Sequence, residues 1–149
     1  MGGSWFAHGA DETRELSFLF CGRQNCKPGE AVGPAVREHY LMHYCLSGRG
    51  VYRAQGVNYE IGPGEGFLIL PGELTSYQAD DQEPWDHIWV GFTGSRAAGY
   101  LRSCGLGQDR RTFSVPNPSN WRPVWRPCWN LTQPVQAMNC CCWGNSTYF

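Results

Sequence analysis

Arg37, His39, His43, Tyr77, His87 and Trp89 are the residues of this chain whose types and spacing could do chemistry, and that chemistry is recognition of a polar small molecule. In the run from Arg37 to Leu46 a two-residue period sends Arg37, His39, Leu41, His43 and Cys45 to one side of a strand. Glu38, Tyr40, Met42, Tyr44 and Leu46 go to the other. With the first side inward, a planar cation and two imidazoles converge in a closed β cavity suited to a polar ligand. With the second side inward, the aromatic residues form the core and the histidines face water. Alternation sets the period and leaves the direction open. A second cluster lies at Tyr77 and at Trp85-Asp86-His87-Ile88-Trp89, where His87 and Trp89 share a strand face. An indole stacks on the C–H face of a sugar while imidazole and phenol read its hydroxyls. Taken singly, each of these residues is an ordinary amphipathic member of a core.

Other chemistries find less support. His39, His43 and His87 could in principle supply three metal ligands, but His39 and His43 are about 13 Å apart at ordinary strand rise, too far to meet at one ion. Gly62-Pro63-Gly64-Glu65-Gly66 lacks a lysine and precedes a strand, so it reads as a turn and not as a phosphate loop. No serine stands in a nucleophile elbow and no carboxylate pair has a catalytic context. Neither an enzyme nor a cofactor is expected.

The elements that must position these side chains read as antiparallel β from Glu15 to Phe92. Apolar or alternating runs at Leu16 to Cys21, Tyr40 to Leu46, Gly50 to Ala54, Phe67 to Leu70 and His87 to Phe92 are separated by Lys27-Pro28-Gly29, Ser47-Gly48-Arg49-Gly50, Gly62-Pro63-Gly64 and Pro71-Gly72. This spacing predicts a small sandwich or barrel. From Gly94 to Gly105 a short helix is expected, with Ala97, Ala98 and Leu101 on one face and Thr93 or Ser95 as its cap. The 149 residues have room for one domain, and 42% hydrophobic residues suffice for a core. A net charge of -1 offers no field for phosphate backbones or anionic lipid, so nucleic-acid binding by this chain alone is disfavoured. No stretch reaches the length of a membrane-spanning helix. Of the eight cysteines, Cys128, Cys140, Cys141 and Cys142 crowd into a tail rich in Trp and Pro with no acidic residue after Asp109. That tail, 116–149, reads poorly as a folded element, and a boundary is placed near Val115 to Ser119. The first ten residues carry no basic segment and apolar run that would mark export, so the even cysteine count does not imply a disulfide framework.

Three blocks then carry a resemblance: Arg37-Glu38-His39-Tyr40-Leu41-Met42-His43-Tyr44-Cys45-Leu46-Ser47-Gly48-Arg49-Gly50, Gly62 to Glu73, and Tyr77-Gln78-Ala79-Asp80 with Pro84 to Gly94. In order and spacing they resemble the N-terminal effector-binding domain of AraC/XylS-type transcription regulators, over roughly Leu16 to Val115. The resemblance implies a mainly β, cupin or jelly-roll barrel at 15–115 after a flexible arm at 1–14, followed by short helices that dimerise. It implies a cytoplasmic homodimer with a small-molecule, sugar-like effector inside the barrel. Leu41 and Thr75 fall where metal-binding cupins carry a ligand Glu and a ligand His, which argues for a metal-free sensor and turns the Leu41 side of its strand inward. Tyr77, His87 and Trp89 match positions that contact the sugar in the family's arabinose-responsive member, and Arg37 and His43 are added from the strand face. A small metal-dependent cupin enzyme acting on a sugar or hydroxy acid is the alternative.

Family members continue into two helix-turn-helix units that bind DNA. The chain is expected to lack them, and the tail suggests a reason in the genetic code. Cys140-Cys141-Cys142-Trp143-Gly144 must be encoded TGY TGY TGY TGG GGN, which read from the third base gives Leu-Leu-Leu-Gly whatever the codon choice. The same frame yields a Leu-Glu-rich helix upstream, so a frameshift between Val115 and Arg122 is the expectation, and the tail's cysteines are leucine codons read out of register.

Overall fold

The computed structural model describes residues 4–7 and 14–115. Turn glycines cut this stretch into short strands, and among the described residues there are ten of them and one helix. They run β1 (Ser4–Ala7), β2 (Ser17–Asn25), β3 (Ala31–Val36), β4 (Tyr40–Ser47), β5 (Gly50–Ala54), β6 (Val57–Ile61), β7 (Glu65–Ile69), β8 (Leu74–Ala79), β9 (Asp86–Thr93), α1 (Ala97–Ser103) and β10 (Thr112–Ser114). One sheet has the order β1-β2-β9-β4-β7-β10 and the other β3-β8-β5-β6, with antiparallel neighbours throughout. Successive strands that alternate between two four-stranded faces, 2-9-4-7 over 3-8-5-6, are the jelly roll. The core lies between the sheets, where Leu41 and Cys45 of β4 and Phe67 and Ile69 of β7 meet Tyr52 and Ala54 of β5 and Tyr77 and Ala79 of β8.

Two polar contacts tie one sheet to the other. The Tyr52 hydroxyl donates to the Leu68 carbonyl at 3.1 Å, and Arg111, just before β10, pairs through two nitrogens with the carboxylate of Glu73, just before β8. The guanidinium of Arg111 is buried, so the pair is shielded from water and its doubled geometry holds the sheet ends together.

The apolar runs read from the sequence fall within β2, β4, β5, β7 and β9. β3, β6, β8 and β10 were not foreseen. Gly33-Pro34 interrupts β3, which tolerates a proline because it is an edge strand whose register shifts between Val32 and Ala35. β8 hides because Thr75 stands among its inward residues, so the run lacks apolar alternation. Ser4–Ala7, within the stretch expected as an arm, pairs with β2 as an edge strand.

The helix is shorter than expected and its cap differs. Arg96 occupies the N-cap without a side-chain bond. Ser95 is already committed: its N–H donates to the Arg14 carbonyl at 3.1 Å and its hydroxyl points the same way, tying the helix start to the chain before β2. Ala97 and Leu101 are buried as expected, whereas Ala98 is half-buried. Cys21, Cys26, Cys45 and Cys104 are free thiols.

Two glycines make opposite predictions. A Cβ on Gly50 would lie 2.5 Å from the Gln78 carbonyl oxygen and 2.6 Å from the buried Trp85 ring. Gly50→Ala should therefore cost about 1–3 kcal/mol in overpacking. Gly99, in α1, faces open space, so Gly99→Ala should add about 0.5–1 kcal/mol. Urea midpoints at unchanged slope check both signs.

Candidate ligand site

The direction of β4 decides where the chemistry lies. Leu41, His43 and Cys45 are buried, while Tyr40, Met42, Tyr44 and Leu46 are half-buried. The histidine side of the strand therefore faces the interior. β4 lies between β9 and β7, and in register His43 stands opposite Trp89 on one side and Phe67 on the other, with His87 opposite Cys45.

The side chains from both sheets meet around His43, which is 1% exposed. Its ring is 4.5 Å from that of Phe67 and within 9° of parallel, 4.7 Å from Tyr77 across the gap, 5.0 Å from His87 and 6.0 Å from Trp89. Tyr77 and His87 are also buried, and Trp89 is half-buried. Arg37 enters from the rim, its guanidinium carbon 5.9 Å from the centre of the Tyr77 ring. Arg37, His43, Tyr77, His87 and Trp89 thus lie around one interior. His39, named with them from the sequence, meets the edge of Phe20 at 5.0 Å, and the structure brings in Thr75, Trp85 and Cys26. The two-residue period had placed His39 on the right face. Thr75 entered only through the family resemblance and Cys26 not at all, because no local pattern shows that packing turns them inward.

Burial sets the charge state. His43 is held well below the usual histidine range by loss of hydration, helped by His87 and by the Arg37 charge. Burial lowers His87 to about 4, against the opposing pull of Asp86 and Glu30. Burial pushes the Cys26 thiol up to about 11, with Glu30 adding to it, and raises the Tyr77 hydroxyl. At neutral pH the interior holds neutral imidazoles, a thiol and a phenol beside one guanidinium. His43 Nδ1 lies 3.1 Å from His87 Nδ1, and His87 Nε2 lies 3.6 Å from Cys26 Sγ. Between two neutral rings only one Nδ1 can carry the proton, so the tautomer of His43 is set by that of His87. If the thiol donates to His87 Nε2, His87 donates to His43, and His43 presents Nε2–H as a donor; the reverse chain makes that atom an acceptor.

Several buried polar atoms here have no hydrogen-bond partner: Arg37 Nη1, His39 Nε2, His43 Nε2, Thr75 Oγ1 and Trp85 Nε1. A buried orphan costs about 1–3 kcal/mol, so a cluster of them on one interior is what a polar ligand would repay. Among the described residues no group of three His, Cys, Asp or Glu is placed to hold a metal ion. A surface groove of about 530 Å³ lies elsewhere, beside Arg49, Glu60 and Glu65, but there Arg49 already meets Asp80 and Glu83 at 3.5 Å. Among the described residues no helix is long and apolar enough to cross a membrane.

Known proteins carry this chain's features in sequence as well as in fold. It is 36% identical over 108 residues to the Msm operon regulatory protein of Streptococcus mutans, covering 67% of this chain and 39% of that protein. It is 33% identical over 111 residues to the raffinose operon transcriptional regulatory protein RafR of Pediococcus pentosaceus, covering 72% of this chain and 40% of that protein. The chain therefore spans well under half the length of either regulator. The protein YhaK from Escherichia coli shares the fold with a TM-score of 0.59 at 16% identity, over 77% of this chain and 52% of that one. The family model described as the AraC-like ligand binding domain matches residues 17–139, continuing past the boundary expected near 115 into a tail that lies outside the described residues. With most of its length matched, the chain belongs to the AraC-like ligand-binding domain family.

Proposed function

We propose that the barrel interior binds a small, sugar-like effector and that the domain passes this event to DNA as part of a dimeric, cytoplasmic transcription regulator. The observation that carries the reading is the coincidence of aromatic rings, Trp89 and Tyr77, with unpartnered polar atoms around His43. Rings receive the apolar face of a sugar and the orphaned groups receive its hydroxyls. Two relatives are named as operon regulators, one of them of a raffinose operon, which favours a carbohydrate. Effector binding can shift only an equilibrium between states that it contacts differently, so the enclosed ligand must hold the strands and α1 in one arrangement. Pairing of two copies is assigned to the α1 region, where Tyr100 is an exposed aromatic; sedimentation showing only monomer at every concentration would remove that part.

A thermal-shift screen with pentoses, hexoses and oligosaccharides tests the main reading. A ligand at a hundred times its Kd should add about 2.7 kcal/mol of stability, and Trp89→Ala should abolish the shift while leaving the far-ultraviolet dichroism intact. A panel without any shift, or a shift retained in Trp89→Ala, contradicts it.

The neutral imidazoles make a second prediction. In the folded state His43 and His87 bind protons less readily than in the unfolded chain, where histidine titrates near 6.5. The unfolded state then takes up more protons below that pH. Stability is accordingly full above about pH 6.5 and lost as pH falls towards 4, by about 1.4 kcal/mol per histidine for each pH unit. Urea midpoints between pH 7.5 and 5 should fall steeply, and less steeply in His87→Phe.

A further inference from the structure

Among the described residues several arginines are ion-paired. On the outer surfaces and rims Arg23 pairs with Asp86, Arg96 with Glu15 and Arg111 with Glu73. Arg37 has no such partner: among the described residues none of the ion pairs includes it, and its Nη1 is buried without a hydrogen bond. The nearest carboxylate in sequence, Glu38, is exposed on the opposite side of the chain. The buried carboxylate of Asp86 is already held by both Arg23 nitrogens. Among the described residues its neighbours are uncharged: Tyr77, whose hydroxyl meets the guanidinium, and His39 and His43, whose protonation its own charge opposes.

Beside it are polar atoms that also lack partners. Thr75, 2% exposed, lies two residues before Tyr77 on the inward side of β8 and opposite Ala35, which is two residues before Arg37. Its Oγ1 is an orphan, as are His39 Nε2 and His43 Nε2. A water or a sugar hydroxyl could satisfy these hydrogen bonds. Arg37 is half-buried with its Nη1 enclosed, and neither would supply a counter-charge to its guanidinium. The planar fork of arginine fits a carboxylate or phosphoryl group through two parallel charge-assisted bonds, each about twice as strong as a neutral one.

We infer that the effector is anionic, a sugar acid or sugar phosphate whose carboxylate or phosphoryl group seats on Arg37 Nη1 and Thr75 Oγ1, its ring lying against the half-buried Trp89. This deepens the reading of the barrel as an effector site and rests on it. Trp89 and His87 grip the body of the ligand; Arg37 selects its charge.

The test is titration calorimetry on a panel in which each pentose and hexose is matched with its uronic acid, the neutral uronamide and its terminal phosphate ester. The acid or the phosphate should bind at least tenfold tighter than the neutral members of its set, and which of the two wins identifies the anion. Arg37→Gln should erase that preference, and Arg37→Lys should restore part of it. Trp89→Ala should weaken charged and neutral members alike. Near-ultraviolet dichroism confirms that each variant keeps its packing. Neutral sugars binding as tightly as their acids, or a preference that survives Arg37→Gln, overturns the anionic assignment and leaves effector sensing standing. Binding by no member of the panel removes effector sensing itself.

Discussion

The pairing of β4 with β9 on one side and β7 on the other is the constraint on which the interior depends. A strand's side chains alternate, so a slip of one residue would turn Arg37, His39 and His43 out to water and bring Tyr40, Met42 and Tyr44 in. The observed register sets His43 opposite Trp89 and Phe67 and brings Tyr77 down upon it from the other sheet. One small residue makes the arrangement possible near the rim. Gly91 stands opposite Leu41 on β9, and a Cβ there would run into the Phe20 ring, which needs that space to meet His39 edge-on.

Enclosure by rings has an electrostatic consequence. Removing imidazole from water disfavours its charged form, and the Arg37 charge adds to the effect at His39 and His43. The interior is therefore poor in titrating groups at neutral pH yet rich in directed hydrogen-bonding atoms. The contact between the two Nδ1 atoms, continued to Cys26, means that the face His43 presents to a ligand is chosen at a distance, by a proton on the far side of His87.

The jelly roll by itself says nothing of this, because the fold carries unrelated functions and the likeness to YhaK is one of architecture alone. The family to which the chain belongs contributes the notion of a ligand domain, and the relatives contribute the notion of regulation. What is particular to this barrel is its local chemistry: a guanidinium without an ion pair among the described residues, the buried Thr75 hydroxyl and aromatic walls.

Local pattern determined a good deal. The strands with apolar inward faces, β2, β4, β5, β7 and β9, were legible because period two with turn glycines is a local signal. So was the short helix, though not its cap, since Ser95 is drawn off by the Arg14 carbonyl, far away in sequence. The strands with polar or interrupted faces, β3 and β8, were not legible as strands, and Thr75 and Tyr77 of β8 were named without the strand that carries them. The list of interior residues on β4 and β9 was present in the sequence as two possible faces, and the resemblance of its motifs to a known family pointed to one of them. Only the tertiary structure decided what those residues do to one another. Sheet closure juxtaposes Tyr77 with His43, residues 34 positions apart, and His87 with Cys26, 61 apart. Among the described residues it also left Arg37 out of every ion pair. Alternation dictates which residues travel together along one strand, but hydration, ion pairing and ring contact are properties of the space between strands, and that space exists only once the two sheets have met.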